Sequence, residues 1–133
     1  MPQEYTHLLP NEVRIWERFL ANPPWPITSV TYDFHVGDGM PIEPGWDEGI
    51  IRMVRAITRK RIDAVVRTDG YTYIIEIKPR AGMSALGQLL AYRHLFLREH
   101  QPVGQLKLAV VCERLEPDMD VVFKAHGIEV YIV

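Results

Sequence analysis

Two β-rich runs separated by Asp69-Gly70 constrain the fold of this chain more than any other feature of its sequence. The runs cover residues 61–68 and 71–78 and are rich in valine, isoleucine, threonine and tyrosine. An Asp-Gly pair between two such runs is a strong short-range signal for a β-hairpin with a type I′ turn. A two-residue turn sets Thr68 opposite Tyr71 and, counted back along both strands, Asp63 opposite Glu76.

This register predicts two different surfaces, because side chains alternate between the faces of a strand. We expect one face to carry Arg61, Asp63, Glu76 and Lys78. The other face is apolar and is expected to pack on the core, with Ile62, Ala64, Val66, Tyr73, Ile75 and Ile77. The first face therefore brings two carboxylates side by side, with a lysine two residues beyond one of them.

Two opposed carboxylates require an explanation, because like charges directly opposite each other destabilise a sheet. Either the pKa of one carboxyl group is raised or a cation is bound. A hard cation such as Mg²⁺ suits such oxygens, polarises a phosphoryl oxygen and lowers the pKa of a bound water. Lys78 would then orient that water or stabilise the charge of the transition state. The alternative is a solvated strand face in which Glu76 pairs with Lys78 or Arg61.

The rest of the chain predicts an α/β fold. Residue periodicity indicates helices over 12–21 with Asn11 as N-cap, 50–58, 83–99 and 117–126, and strands over 27–36, 105–112 and 128–133. We expect a loop over 37–49, and we expect Pro79 and Gly82 to end the second hairpin strand. Strand–helix–strand order after the hairpin implies parallel pairing there, and hence one mixed sheet flanked by helices.

Composition favours one globular domain over residues 1–133. The chain is 47% hydrophobic and 24% charged, which suits a compact domain with its own core. Its single cysteine, Cys112, excludes an internal disulfide and a cysteine-only metal cluster, and fits a reducing cytosol. The chain has no leader-like start and no long apolar run, so we expect a cytoplasmic protein without a membrane span.

The distribution of charge leaves two interpretations open. A net charge of −2 mildly disfavours a nucleic-acid partner. A basic cluster nevertheless occupies ten residues that contain no acid, and its members are Arg52, Arg55, Arg59, Lys60 and Arg61. This cluster is either a solvated face or an edge that contacts phosphates.

The order of the hairpin and helix residues resembles the PD-(D/E)xK nuclease superfamily. The matching residues are Asp63, Glu76-Ile77-Lys78, and Gln88 and Tyr92 on the next helix. The last two are similar to the Gln-xxx-Tyr motif of RecB-like members. Ile62 stands where the eponymous proline would be. The resemblance implies a restriction-endonuclease-like fold with an α-β-β-β-α-β core.

The resemblance also implies roles for these residues. Asp63, Glu76 and the carbonyl of Ile77 would bind Mg²⁺ or Mn²⁺, and Lys78 would activate or position the attacking water. Gln88 and Tyr92, one helical turn apart, would shape the site or contact the phosphate backbone. Many members place a further ligand on the first helix, for which Glu12 is the candidate and Glu17 the alternate.

The function implied is hydrolysis of phosphodiester bonds in DNA, with DNA favoured over RNA, in repair, recombination or phage-type DNA processing. Specificity would come from DNA structure, from a homodimer or from a partner protein. Two alternatives stay open: a catalytically inactive module for nucleic-acid binding or assembly, and an α/β domain whose hairpin charges only face solvent.

The histidines show no metal-ligand spacing, and we assign none of them to a site; they are His7, His35, His94, His100 and His126. His35 and Asp33 lie on the first predicted strand, where we interpret both as structural.

Overall fold

The helices and strands follow one another along the chain in the predicted order. The computed structural model describes Tyr5 and residues 7–133. Over those residues the elements are α1 (Pro10–Ala21), β1 (Ser29–Val36), α2 (Glu48–Thr58), β2 (Lys60–Thr68), β3 (Tyr71–Ala81), α3 (Met83–Glu99), β4 (Gln105–Leu115), α4 (Met119–Ala125) and β5 (Ile128–Ile132).

The five strands form one mixed sheet in the order β1-β2-β3-β4-β5. The pairs β1–β2 and β2–β3 are antiparallel, whereas β3–β4 and β4–β5 are parallel. Thr68 faces Tyr71 at the hairpin turn, as predicted. Gly70 has a positive φ of +79° but Asp69 does not, which is the pattern of a type II turn. The predicted type I′ turn, in which both central residues have a positive φ, is therefore wrong. The predicted mixed α/β sheet flanked by helices and the predicted hairpin register are both confirmed.

Two apolar layers cover the two faces of the sheet. On one face α1 buries Ile15, Trp16 and Phe19 against the hairpin and β4. On the other face the buried side chains of α3 cover the sheet; they are Ala85, Leu89, Tyr92 and Phe96. Removal of this apolar surface from water is the main favourable contribution to folding, and it sets the orientation of the hairpin.

Two predicted helix starts are shifted by local capping. α1 begins at Pro10 rather than after Asn11, because proline suits the first helical position and Glu12 accepts a hydrogen bond from the Leu9 N–H. α2 begins at Glu48, two residues before the predicted start, because the Asp47 carboxylate accepts from the Ile50 N–H at 2.8 Å. Among the described residues, no helix combines the length and apolar composition required to cross a membrane.

The prediction that Pro79 ends the second hairpin strand is wrong. β3 continues to Ala81, paired with β4 on one side. The Ile77 N–H points away from β4 and donates to the Asp63 carboxylate at 2.8 Å. The backbone nitrogens of every second residue of a strand point to the same edge, so the nitrogen of Pro79 points the same way as that of Ile77. The nitrogen of Pro79 therefore faces away from β4, and its missing hydrogen interrupts no ladder bond.

Strands β1 and β2 exchange the faces of their side chains at one position. Tyr32 and Ala64 face each other on the α1 side, whereas the next paired residues, Phe34 and Ile62, belong to the α3 side. Between them Asp33 has a φ of +52°, a left-handed conformation that aspartate tolerates better than most residues. The prediction that Ile62 shares a face with Ala64 is therefore wrong.

The hairpin strands diverge next to this position. β2 pairs with β3 from Thr68 as far as Ala64, which faces Ile75. Beyond that point β2 stays paired with β1, and β3 stays paired with β4. Asp63 and Glu76 are the next residues beyond this last pair, so they lie where the two strands separate.

Candidate active site at the diverging strands

Glu76 is a buried acid in the middle of the sheet. Glu76 lies two residues after Ile74 on β3, so its side chain points to the same face of the sheet, the one covered by α3. Only 2% of its surface is exposed. The ammonium Nζ of Lys78 lies 3.5 Å from its Oε2, and its Oε1 is buried without a hydrogen-bond partner among the residues described. A buried, half-satisfied carboxylate is costly for a fold, and such groups concentrate at functional sites.

Burial first, and the adjacent Asp63 carboxylate second, raise the pKa of Glu76 from 4.5 to about 9, while Lys78 opposes the change. At neutral pH the group therefore holds a proton when no cation is bound. A raised pKa was one of the two outcomes expected for opposed acids.

Two hydrogen bonds from different parts of the chain fix the carboxylate of Asp63. Its Oδ2 accepts from the Ile77 N–H at 2.8 Å, a backbone group that the separation of β2 leaves open. Its Oδ1 accepts from Nε2 of His7 at 2.9 Å. Asp63 and Glu76 are therefore neighbours, as the register predicts, but the strand pairing ends one residue before them and Asp63 is turned towards the backbone of the neighbouring strand.

His7 is a site residue that sequence reasoning missed. Its side chain is 10% exposed, and its Nδ1 lies 4.0 Å from Oδ1 of Asp33. The hydrogen bond to Asp63 raises the pKa of His7 above 6.5, although burial of the ring opposes this. No motif links His7 to an aspartate 56 positions away; its place just before the first helix was the only available signal.

Asp33 and Arg61 form a bidentate pair beside these residues. Nε and Nη2 of Arg61 donate to the two carboxylate oxygens of Asp33, each at 2.6 Å. These hydrogen bonds lower the pKa of Asp33. His35 lies next to the pair, with Nε2 at 3.6 Å from Asp33. The structural interpretation of Asp33 agrees with these contacts, and Arg61 is used within the chain.

Gln88 and Tyr92 of α3 lie over the acids. Nε2 of Gln88 donates to the Tyr92 hydroxyl at 3.5 Å, and Gln88 Oε1 is buried without a partner in the described part of the chain. Tyr92 is 6% exposed; burial raises its pKa, and the charges of Glu76 and Asp63 raise it further. The structure thus brings together the five residues of the motif: Asp63, Glu76, Lys78, Gln88 and Tyr92.

No hydrogen bond or ion pair in the described chain joins the first helix to this group. Glu12 accepts the Leu9 N–H at 3.0 Å and so serves the start of α1. Glu17, the alternate, is exposed on the same helix.

Some members of the basic cluster pair within the chain, and most are exposed. Arg59 donates to the carbonyls of Gly37 at 2.6 Å and His35 at 3.2 Å, and pairs with Glu99 at 2.9 Å. Arg59 and Arg61 therefore make contacts within the chain. Four members of the cluster are exposed: Arg52, Arg55, Lys60 and Arg61, the last of which is 45% exposed beside Asp33.

The donor set at the diverging strands suits a hard cation. Over the described residues, no three histidine, cysteine, aspartate or glutamate side chains are grouped so that they could hold a metal. The oxygen ligands available at the site are the carboxylates of Asp63 and Glu76, the second of which has an unpartnered oxygen, and the Ile77 carbonyl. Mg²⁺ binds through one or two carboxylates while keeping several waters, so this smaller set fits it.

Comparisons with known proteins leave the function open. No family model and no curated protein matches the chain. A crystal structure of a protein of unknown function, AF1548, matches with a TM-score of 0.47 and 12% sequence identity, over 89% of this chain and 52% of that one. The chain thus spans about half the length of that protein, and a likeness of this size carries no conclusion about activity.

Proposed function

We propose that this protein is a metal-dependent nuclease that hydrolyses phosphodiester bonds in DNA, with Asp63 and Glu76 holding Mg²⁺ or Mn²⁺. One observation carries the proposal: a glutamate that is 2% exposed lies beside a second acid and keeps one oxygen without a partner. Removing one carboxylate from water next to another opposes ionisation, and a divalent cation would offset that repulsion.

The residues around the acids have roles that fit this chemistry. A bound cation would polarise a phosphoryl oxygen and lower the pKa of a water. Asp63 is oriented by two donors, and Lys78 is 28% exposed, so its ammonium reaches both Glu76 and solvent. Lys78 would therefore donate to the attacking water or to the phosphoryl oxygen as charge develops there. Gln88 and Tyr92 would exclude water from the α3 side.

The surroundings of Lys78 support an anionic substrate. Lys78 lines an open cavity of about 410 Å³ together with Arg80 and Ser84 at the start of α3. Glu116 lies in the same cavity, with Oε1 at 3.7 Å from Nε of Arg80. Phosphate groups favour such basic surroundings, and nucleic acid supplies them in a row.

A cleavage assay tests the proposal. Labelled single-stranded, duplex and branched DNA are incubated with the protein in Mg²⁺, in Mn²⁺ or in chelator. We expect metal-dependent cleavage that falls at least about a hundredfold in Glu76→Gln and in Lys78→Ala, as when one group that stabilises transition-state charge is lost. Glu113→Gln, on an exposed acid paired with Arg18, is the control and should cleave normally.

Cleavage that survives chelator or Glu76→Gln would contradict the proposal. Binding of DNA without cleavage would favour the second candidate, a catalytically inactive module for nucleic-acid binding or assembly. The small donor set in the described part of the chain favours that candidate over an active enzyme, and within it the net charge of −2 favours assembly over nucleic-acid binding.

A further inference from the structure

His7 approaches the acids, although the described residues on either side of it pack on the opposite layer. Its neighbours Tyr5 and Leu8 lie against the apolar cluster beneath α1. The imidazole of His7 turns instead towards Asp63 and Asp33, with Nε2 at 2.9 Å from Asp63 Oδ1. The Nδ1 of His7 is buried without a hydrogen-bond partner in the described chain, which costs free energy. The burial of His7 therefore needs an explanation other than packing.

The two donors on Asp63 act together. The Ile77 N–H holds Oδ2, and a carboxylate with a single hydrogen bond still turns about its broad terminal torsion. His7 on Oδ1 stops that rotation. An ionised carboxylate offers about four lone-pair sites, so each oxygen keeps one for another partner. Asp63 is therefore oriented by these contacts and still able to bind a cation.

We propose that His7 is a positioning residue that holds Asp63 in the orientation required for cation binding, an inference that rests on the function proposed above. Hydrogen-bond partners of metal-ligating carboxylates orient the ligand, and their loss typically weakens metal affinity about 10- to 100-fold. The cation site is then complete only when the His7 side chain lies against Asp63.

Titration with Mn²⁺, with free metal measured by electron paramagnetic resonance at one fixed pH, tests the inference. His7→Ala should weaken binding about 10- to 100-fold, and His7→Phe, which keeps a ring but donates no hydrogen bond, should do the same. His7→Gln, which keeps a donor, should weaken binding by less than about tenfold. His35→Ala removes a histidine that contacts Asp33 but not Asp63, and should bind as the wild type does.

Thermal unfolding in chelator identifies variants that do not fold. If His7→Ala does not fold, the Mn²⁺ affinities of His7→Phe and His7→Gln are compared instead. Wild-type affinity in both donor-free variants, or equal loss in His7→Gln and His7→Phe, would overturn the role of His7 while leaving the nuclease proposal intact. A wild-type protein that binds no Mn²⁺ would overturn both.

Discussion

At the scale of single residues, the candidate site depends on how the fold changes the chemistry of a few ordinary side chains. An exposed glutamate ionises near pH 4.5, whereas burial beside Asp63 raises the pKa of Glu76 to about 9. The same aspartate raises the pKa of His7 through a hydrogen bond. The pKa of Glu76 shifts mainly because the side chain is buried, and the pKa of His7 shifts because of a hydrogen bond to a residue distant in the sequence.

The raised pKa of Glu76 predicts a pH-dependent loss of stability. Between about pH 4.5 and pH 9 the folded protein holds a proton that the unfolded chain releases. Stability therefore falls as pH rises through this window, by at most about 1.4 kcal/mol per pH unit from this group. In chelator, Glu76→Gln should lack this loss and become progressively more stable than wild type.

Urea unfolding across the window measures the difference between the two proteins. Glu113→Gln, on an exposed acid, should follow the wild-type curve. A difference between wild type and Glu76→Gln that stays constant with pH would contradict the assigned shift.

At the scale of elements, the site exists because β2 and β3 separate after Ala64. Two further contacts hold the surrounding elements in place. Arg59 joins the end of β1 to the end of α3 through the carbonyl of Gly37 and the carboxylate of Glu99. Gly104 lies against the backbone of Gly70 in the hairpin turn, where a φ of +73° also favours glycine.

Replacing Arg59, one of the candidates for a phosphate contact, should destabilise the fold. Arg59→Ala leaves two part-buried carbonyl groups without their donor, at a cost of about 1–3 kcal/mol. Arg18→Ala, which breaks the exposed pair with Glu113, should cost less than about 1 kcal/mol. Denaturant unfolding compares the two. Equal small losses would mean that Arg59 contributes little to the junction.

Substitutions at two glycines should have opposite signs. In Gly104→Ala the new Cβ would collide with the Gly70 carbonyl, and the positive φ adds strain, so we expect a loss of about 1–3 kcal/mol. Gly87, within α3, has open space at its Cβ, and Gly87→Ala should gain about 0.5–1 kcal/mol from helix propensity. Thermal midpoints measure both; a stable Gly104→Ala would exclude the close turn contact.

At the scale of the whole molecule, one sheet carries the site between two apolar layers. The α1 layer supports the hairpin from below, and the α3 layer contributes Gln88 and Tyr92 from above. Divalent cations that bind the folded state at Asp63 and Glu76 should therefore stabilise the entire domain.

Mn²⁺ at about a hundred times its dissociation constant should raise the free energy of unfolding by about 2.7 kcal/mol. Asp63→Asn should abolish the gain, whereas Asp118→Asn, at an exposed position next to α4, should retain it. Thermal shift measurements with and without chelator test this. Equal gains in all three proteins would indicate binding elsewhere.

Much of the fold was predictable because the signals for it are local. The turn chemistry of Asp69-Gly70 specifies the hairpin register, and the periodicity over 83–99 matches α3 to the residue. The motif residues on these elements could be named for the same reason. Ile62 was assigned to the wrong face because β1 and β2 exchange the faces of their side chains at Asp33. Strict alternation along a strand does not predict such an exchange.

The sequence by itself determined the order of the elements, the register of the hairpin and hence the approach of Asp63 to Glu76. These follow from turn geometry, strand periodicity and the burial of apolar residues. Only the tertiary structure decided that β2 and β3 separate, that His7 lies on Asp63 and that Arg59 and Arg61 pair within the chain. Such contacts join residues far apart in sequence, so they depend on how whole elements pack.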